Sequence, residues 1–405
     1  MNSLHFSTLN SPSTRINSDM SFLAAAPAPP TPLGRYRALS KHASIHVSPL
    51  ILGAQSIGDQ WHAIGMGAMD KDSSFKLLDA YYEAGGNFID TANNYQNESS
   101  EQFLGEWMET RGIRDQIVLA TKYSFNYKLA DPSIKQKIHY HGNNVKSMHL
   151  SLDASLKKLR TTYVDIFYVH VWDYQTSIEE IMNNLHSLVV SGKVLYLGIS
   201  DTPAWVVAQA NQYARDHGKT PFAIYQGCWN VLDRAFERDI IPMAREHGMA
   251  LAPWNVLCGG KLRSDAEEER REKSGEQGRD LKLNDHGWKR TEEEKKMSQA
   301  LEKVAKEVGV DSVTAVAIAY VMHKAPYVFP LIGGRKVEQL KQNIEALKVA
   351  LTPAQIEYLE SVKPFDPGFP HTITGDGSKP CGMFAMAAQT DRVAFQAPII
   401  PKKDA

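Results

Sequence analysis

Gly85-Gly86-Asn87-Phe88-Ile89-Asp90-Thr91-Ala92 is the stretch that decides the fold. Its glycines end a 3.6-period apolar pattern over 74–84, as C-cap glycines do, and an apolar run follows. That run carries no polar alternation, the mark of a strand buried on both faces in a parallel sheet. The same unit recurs along the chain. Strands are expected at 50–54, 88–92, 117–122, 164–170, 194–200, 222–226, 249–254 and 328–333. Helices are expected at 74–84, 101–110, 145–159, 178–191, 204–217 and 239–247, with Gly112, Gly192, Gly218 and Gly248 repeating the helix-ending punctuation. Eight such units over about 300 residues predict an α/β fold of the (β/α)8 TIM-barrel kind. A doubly wound sheet would want G-x-G-x-x-G after the first strand, and only Gly65-Met66-Gly67 is present, followed by Ala68, Met69 and Asp70.

Outward from the barrel, 35–51 reads as an N-terminal hairpin. Residues 1–34, rich in Ser, Asn, Ala and Pro, are expected to form a disordered head. The apolar patch Phe22-Leu23-Ala24-Ala25-Ala26 is too short for a signal peptide. Arg15 among serines leaves a weak transit peptide open, Asp19 counts against it, and Met20 is an alternative start. The barrel domain spans 35–362, and its last helix starts with Thr352 as N-cap and Pro353 at N1. The segment 257–291, with Glu267-Glu268-Glu269-Arg270-Arg271-Glu272-Lys273, is a solvated excursion or a lid over the strand-end face. A long C-terminal extension, 363–405, carries Phe365, Phe369, Phe384 and Phe395 and either covers the barrel mouth or is disordered.

The formal net charge of −1 gives no global attraction to nucleic acid, and no apolar run approaches the roughly 18 residues of a membrane span. Cys228, Cys258 and Cys381 are odd in number and show no metal-ligand spacing, so a reduced, cytoplasmic protein without a bound metal is expected.

Four strand ends carry chemistry. Asp90 ends one run with Tyr95 just beyond it, Lys122 ends another and His170 a third, and in a parallel barrel these ends meet on one face. An ammonium beside a phenol favours the phenolate and lowers a pKa of about 10, a carboxylate keeps the lysine charged, and an imidazole can donate to a substrate oxygen. Tyr95 is read as general acid, Lys122 as its tuner, Asp90 as the lysine's partner and His170 as the donor that orients a carbonyl. None of them supplies a hydride. Glycines at 333 and 334 after the last strand suit a phosphate at a helix N-terminus, and Arg335 suits a 2′-phosphate.

Asn87 to Ala92 with Tyr95, Leu119-Ala120-Thr121-Lys122, Tyr168-Val169-His170, Gly198-Ile199-Ser200 and Leu331-Ile332-Gly333-Gly334-Arg335 together resemble the aldo-keto reductase superfamily over about residues 35–362. Within it the chain resembles the fungal aryl-alcohol dehydrogenase group, which includes norsolorinic-acid-reductase-like proteins. The resemblance implies an NADPH/NADP cofactor extended across the barrel mouth. It places Ser200, Asp201 and Gln226 at the carboxamide and Trp254 at the ring that stacks on the nicotinamide. It also places Leu257 and Lys261 at the pyrophosphate, and assigns Gly333, Arg335, Gln339, Gln342 and Asn343 to the adenosine end. Asp201 departs from the Asn of many members, and a carboxylate cannot donate to the carboxamide oxygen. Gly53, Ala54 and Gln55 are expected to line the cofactor, and Trp61, Tyr123, Trp172 and Trp229 to give an aromatic pocket.

The expected activity is NADPH-dependent reduction of an aromatic aldehyde or ketone, reversible as an aryl-alcohol dehydrogenase and suited to fungal secondary metabolism. The expected partner is a small carbonyl compound, without nucleic acid or membrane, in a monomer or homo-oligomer. A cofactor-sensing module like the potassium-channel β subunits is the alternative, although those subunits lack the histidine. A phosphate-binding barrel lyase or isomerase would leave the four strand-end residues and Trp254 unexplained.

Overall fold

The computed structural model describes residues 25–275 and 287–401. Eight strands form one parallel sheet: β3 (Ile51–Gly53), β4 (Phe88–Asp90), β5 (Val118–Tyr123), β6 (Val164–Val169), β7 (Val194–Ser200), β8 (Phe222–Cys228), β9 (Ala250–Trp254) and β10 (Leu331–Ile332). They follow the order β10-β3-β4-β5-β6-β7-β8-β9. Leu251 N–H donates to Tyr327 O and Phe329 N–H to Leu251 O, each at 2.8 Å, which closes the remaining gap. The expected (β/α)8 barrel is present.

Helices α1 (Lys71–Glu83), α2 (Ser99–Arg111), α3 (Val145–Lys158), α4 (Ile178–Val190), α5 (Ala204–Asp216) and α6 (Phe236–Glu246) return the chain between strands. Side-chain caps start several of them: Asp70 accepts from Ser73 N–H, Asn144 from Ser147 N–H and Ser177 from Glu180 N–H. After β9 come α7 (Asp265–Ser274), α8 (Glu292–Val308) and α9 (Val313–Met322), and after β10 come α10 (Val337–Ile344) and α11 (Pro353–Val362). Thr352 caps α11 with Pro353 at its start, as expected.

Because side chains alternate along a strand, the core splits in two. Leu119, Phe167, Val169 and Leu197 face the helices, while Val118, Ala120, Ile166 and Tyr168 face the barrel interior. The interior cluster also holds Leu39, Ala43 and Val47 of the antiparallel hairpin β1 (Arg37–Ser40) and β2 (Ala43–Val47). The hairpin therefore plugs the floor, at the strand starts, and leaves the strand-end face open.

Part of the expected disordered head is docked. Leu33 is buried, Thr31 Oγ1 donates to Ala84 O at 2.7 Å, and a Cβ at Gly85 (φ +96°) would lie 2.7 Å from Gly34 Cα. Residues 1–24 of that expectation lie outside the described residues, as do 276–286 of the charged excursion. The excursion is more structured than a solvated loop: Ser264 caps α7, and buried Arg290 pairs with Glu268 and, at 2.6 Å, with Asp265. Among the described residues no helix is long and apolar enough to cross a membrane.

Candidate active site

Asp90 stands opposite Ala120 in the β4–β5 register, so Lys122, two residues further, shares its face. The pairing continues beyond β4, with Thr91 N–H donating to Ala120 O (2.9 Å) and Asn93 N–H to Lys122 O (3.1 Å). This carries Tyr95 over Lys122, whose Nζ lies 5.1 Å from the phenol ring centroid. On the far side, His170 N–H donates to Tyr123 O at 2.9 Å and to Ser124 Oγ at 3.2 Å. The imidazole meets the Tyr95 ring edge-on at 5.9 Å. The four predicted residues are one cluster.

Lys122 is fully buried; its ammonium donates to Asp90 Oδ1 and, at 2.8 Å, to Thr91 O. Burial alone would push Lys122 down, but the Asp90 carboxylate and then Tyr95 reverse that, and its pKa is raised. The ammonium therefore persists. Gln226 Nε2 donates to Asp90 Oδ2 at 3.0 Å, so this side chain steadies the carboxylate. Tyr95 corrects an expectation. Lys122 does pull its pKa down, but burial outweighs it, Asp90 and Asp201 add to the rise, and the phenol lies above its ordinary value. Burial, then the charge of Lys122, holds His170 well below an ordinary imidazole, hence neutral.

Asp90, Tyr95 and His170 line a cavity of about 1820 Å³, with Lys122 behind them. Ligand sites run to about 1,000 Å³, so this one has room for two ligands side by side. Gly53, Gln55, Asp201, Gln226, Trp254, Leu257 and Lys261 line it from one side, and Gly333, Arg335, Gln339, Gln342 and Asn343 continue it. Ala54 is buried in the strand pairing, its N–H on Asp90 O, and does not reach the cavity. Ser200 sits just beneath, its buried Oγ near Asp201 but completing no hydrogen bond.

The residues suit an extended dinucleotide, with two changes of role. Trp254, 36% exposed at the end of β9, donates from Nε1 to Asp201 Oδ1 at 3.1 Å, which fixes an accessible indole face. Burial raises Asp201 to about 6 against the pull of that indole. Arg335 is exposed at the cavity edge with no ion pair among the described residues, and a Cβ at Gly333 would meet nothing. Gln339, however, accepts from Arg335 N–H (2.9 Å) and Lys336 N–H (3.2 Å), and Asn343 Nδ2 donates to Gly333 O (3.3 Å). Both brace the loop, and Gln339 occupies backbone donors that a phosphate was expected to use. Lys261 also pairs with Glu294, at 3.5 Å.

The aromatic pocket differs most. Tyr123 is fully buried, stacks on Phe167 at 5.2 Å and donates to Asn143 O; Trp229 is buried against Phe236 at the same separation. Trp172 packs against the outer core. None of the three faces the cavity. Trp61 is not among the lining residues either, but it borders Tyr95, edge-on at 6.0 Å, with Nε1 donating to Asn97 Oδ1. Sequence reasoning missed Phe125, 43% exposed and 4.6 Å from the His170 ring. Its position three residues after Lys122, in the loop leaving a strand end, was the available signal.

This arrangement can deliver a proton and hold an oxyanion beside a space for a hydride donor. Comparison with known proteins points the same way. The aldo/keto reductase family profile matches residues 49–364. The aryl-alcohol dehydrogenase (NADP+) of Phanerodontia chrysosporium is 61% identical over 95% of this chain and 100% of its own length. A putative aryl-alcohol dehydrogenase of Saccharomyces cerevisiae is 61% identical over 86% of this chain and 92% of its own. The norsolorinic acid reductase of Aspergillus flavus is 51% identical over 86% of each chain. Barrel, strand-end cluster and family profile agree, and the chain belongs to the aldo/keto reductase family.

Proposed function

We propose that this chain reduces aromatic aldehydes or ketones to alcohols with NADPH, and oxidises aryl alcohols in reverse. The observation that carries the reading is a protonated tyrosine, packed on a fully buried ammonium, opening into a cavity large enough for two ligands. Tyr95 gives its phenolic proton to the carbonyl oxygen. Lys122 stabilises the phenolate left behind, and Asp90, braced by Gln226, keeps the ammonium charged and aimed. Neutral His170 donates an N–H to the same oxygen and fixes its direction. Bound NADPH would supply the hydride that none of these side chains can give. Asp201 and Trp254 would hold its nicotinamide end, and Arg335 its 2′-phosphate.

Trp61 packs edge-on against Tyr95, and Phe125 against His170 from a neighbouring cavity, so aromatic surface lies beside the reacting pair, which favours flat aryl substrates. The three cysteines, unpaired and distant from the cluster in sequence, suit a reducing cytoplasmic setting. A cofactor-sensing module would leave His170 beside Tyr95 without a task.

Titration with NADPH should quench Trp254 fluorescence more strongly than NADH, and Arg335→Ala should remove the preference. Tyr95→Phe should keep NADPH binding while losing about 10²–10⁴ of aryl-aldehyde turnover. Turnover surviving in Tyr95→Phe would sink the proton-donor assignment.

A further inference from the structure

The residue after the proton donor carries a conformation that calls for explanation. Gln96 (φ +52°), Asn97 (φ +48°) and Glu98 (φ +81°) are three consecutive non-glycine residues in the left-handed region. Side chains disfavour that region, and it persists only where surroundings over-determine it. For Gln96 the surroundings are explicit. Its side chain is fully buried, and its carboxamide makes four hydrogen bonds, all to the backbone of one loop. Oε1 accepts from Gln60 N–H at 3.0 Å and Trp61 N–H at 2.8 Å; Nε2 donates to Gln55 O at 2.9 Å and Gly67 O at 2.8 Å. That exhausts the two lone pairs and two protons of a primary amide. Gly58 allows this approach, because a Cβ there would lie 2.5 Å from Gln96 Cβ.

The loop so held serves both ligands. It carries Trp61 against the Tyr95 ring, and Gln55 and Gly67 on the cavity wall. A Cβ at Gly67 would touch Arg335 Cδ at 3.5 Å, so the loop also abuts the residue proposed to take the 2′-phosphate. Asn97 adds the bond to Trp61 Nε1 at 3.0 Å, while Glu98 pairs with Lys158 at 3.1 Å and with Lys128.

We propose that Gln96 is a positioning residue: its buried carboxamide clasps the 55–67 loop and so sets the substrate wall and the cofactor's rim against Tyr95. Gln96 itself does not line the cavity. The inference rests on the reading of Tyr95 as donor and of the cavity as an NADPH site.

Gln96→Gly tests it, because glycine relieves the left-handed backbone while deleting the clasp. The expected result is a folded variant with a somewhat lowered melting temperature, the backbone relief offsetting only part of the lost hydrogen bonds. NADPH quenching of Trp254 and the aldehyde KM should each be weakened about tenfold. kcat should stay within about threefold, since the proton donor remains. Wild-type KM and NADPH affinity in this variant, or a fall in kcat alone, would overturn the proposal. Amide hydrogen exchange in the unaltered chain gives a second reading that needs no variant. The Gln60 and Trp61 amides should be protected, and exchange at free-peptide rates would overturn the clasp by itself. If the wild type shows no NADPH quenching, the cofactor reading fails instead, and the exchange result still decides the clasp.

Discussion

At the residue scale, the strand-end cluster was legible because its four residues occupy positions that a parallel barrel brings together whatever its loops do. Its pH behaviour was not, because it depends on burial. Tyr95 lies above the ordinary phenol value of 10.0, so the acid form needed for reduction persists as pH rises to that value. His170, held well below its ordinary 6.5 by burial and the Lys122 charge, is neutral at that pH and above. The rate of the reduction step should therefore show no histidine titration between these limits, and an inflection near 6.5 in kcat that survives Asp201→Asn would contradict a neutral His170. Asp201 behaves differently. Its pKa of about 6 lies above the unfolded value of 3.8, so its stabilising contribution is present at low pH and is lost as pH rises through 6. Trp254 donates to this carboxyl, so its fluorescence should titrate near pH 6, and Asp201→Asn should abolish that step. The misplaced Tyr123 teaches a related rule. Lys122 points into the barrel, so its neighbour must point outward to the helices, and the period of two excluded Tyr123 from the cavity in advance.

At the element scale, the six helices between successive strands were readable because each shows one face to the barrel and another to water. The missing ones failed for opposite reasons. α9, Val-Thr-Ala-Val-Ala-Ile-Ala-Tyr-Val-Met, is buried at every residue but Thr314 and so has no amphipathic period. α8 begins inside a strongly charged stretch, and its signal was the start rather than the period. Thr291 accepts from Glu294 N–H, and Glu294 accepts from Thr291 N–H, which is a capping box. Thr291→Ala should cost about 1 kcal/mol and lower the melting temperature by about 2 °C. An unchanged melt would mean that α8 is held by its buried face alone. β10 is shorter than its apolar run because only Leu331 and Ile332 pair with β3, while Val328 closes the barrel against Leu251.

At the scale of the whole molecule, the two ends of the barrel have different tasks. The hairpin seals the floor, so ligands enter at the strand ends, and what lies over that face decides which substrates fit. Tail contacts follow α6. Arg238, near its start, donates to Pro367 O at 2.6 Å and to Asp366 O, and His371 meets Asp239 at 3.2 Å. Further on, Arg245 at the helix end lies 3.6 Å from the Phe395 ring centroid, and Gln396 reaches Tyr327 beside the start of the last strand. Helices in this barrel run back from the mouth to the floor, so a chain tracking α6 in this order moves away from the cavity. Lys363 lines the cavity, whereas no residue beyond it does so among those described. Deleting residues 369–405 should therefore leave aryl-aldehyde kcat and KM within about twofold, because no group near the reacting atoms is removed. The melting temperature should fall, because the Arg245–Phe395 contact and the His371 pairing are lost. A KM change well beyond that range, with the fold intact, would show that the tail reaches the mouth after all and helps to choose the substrate.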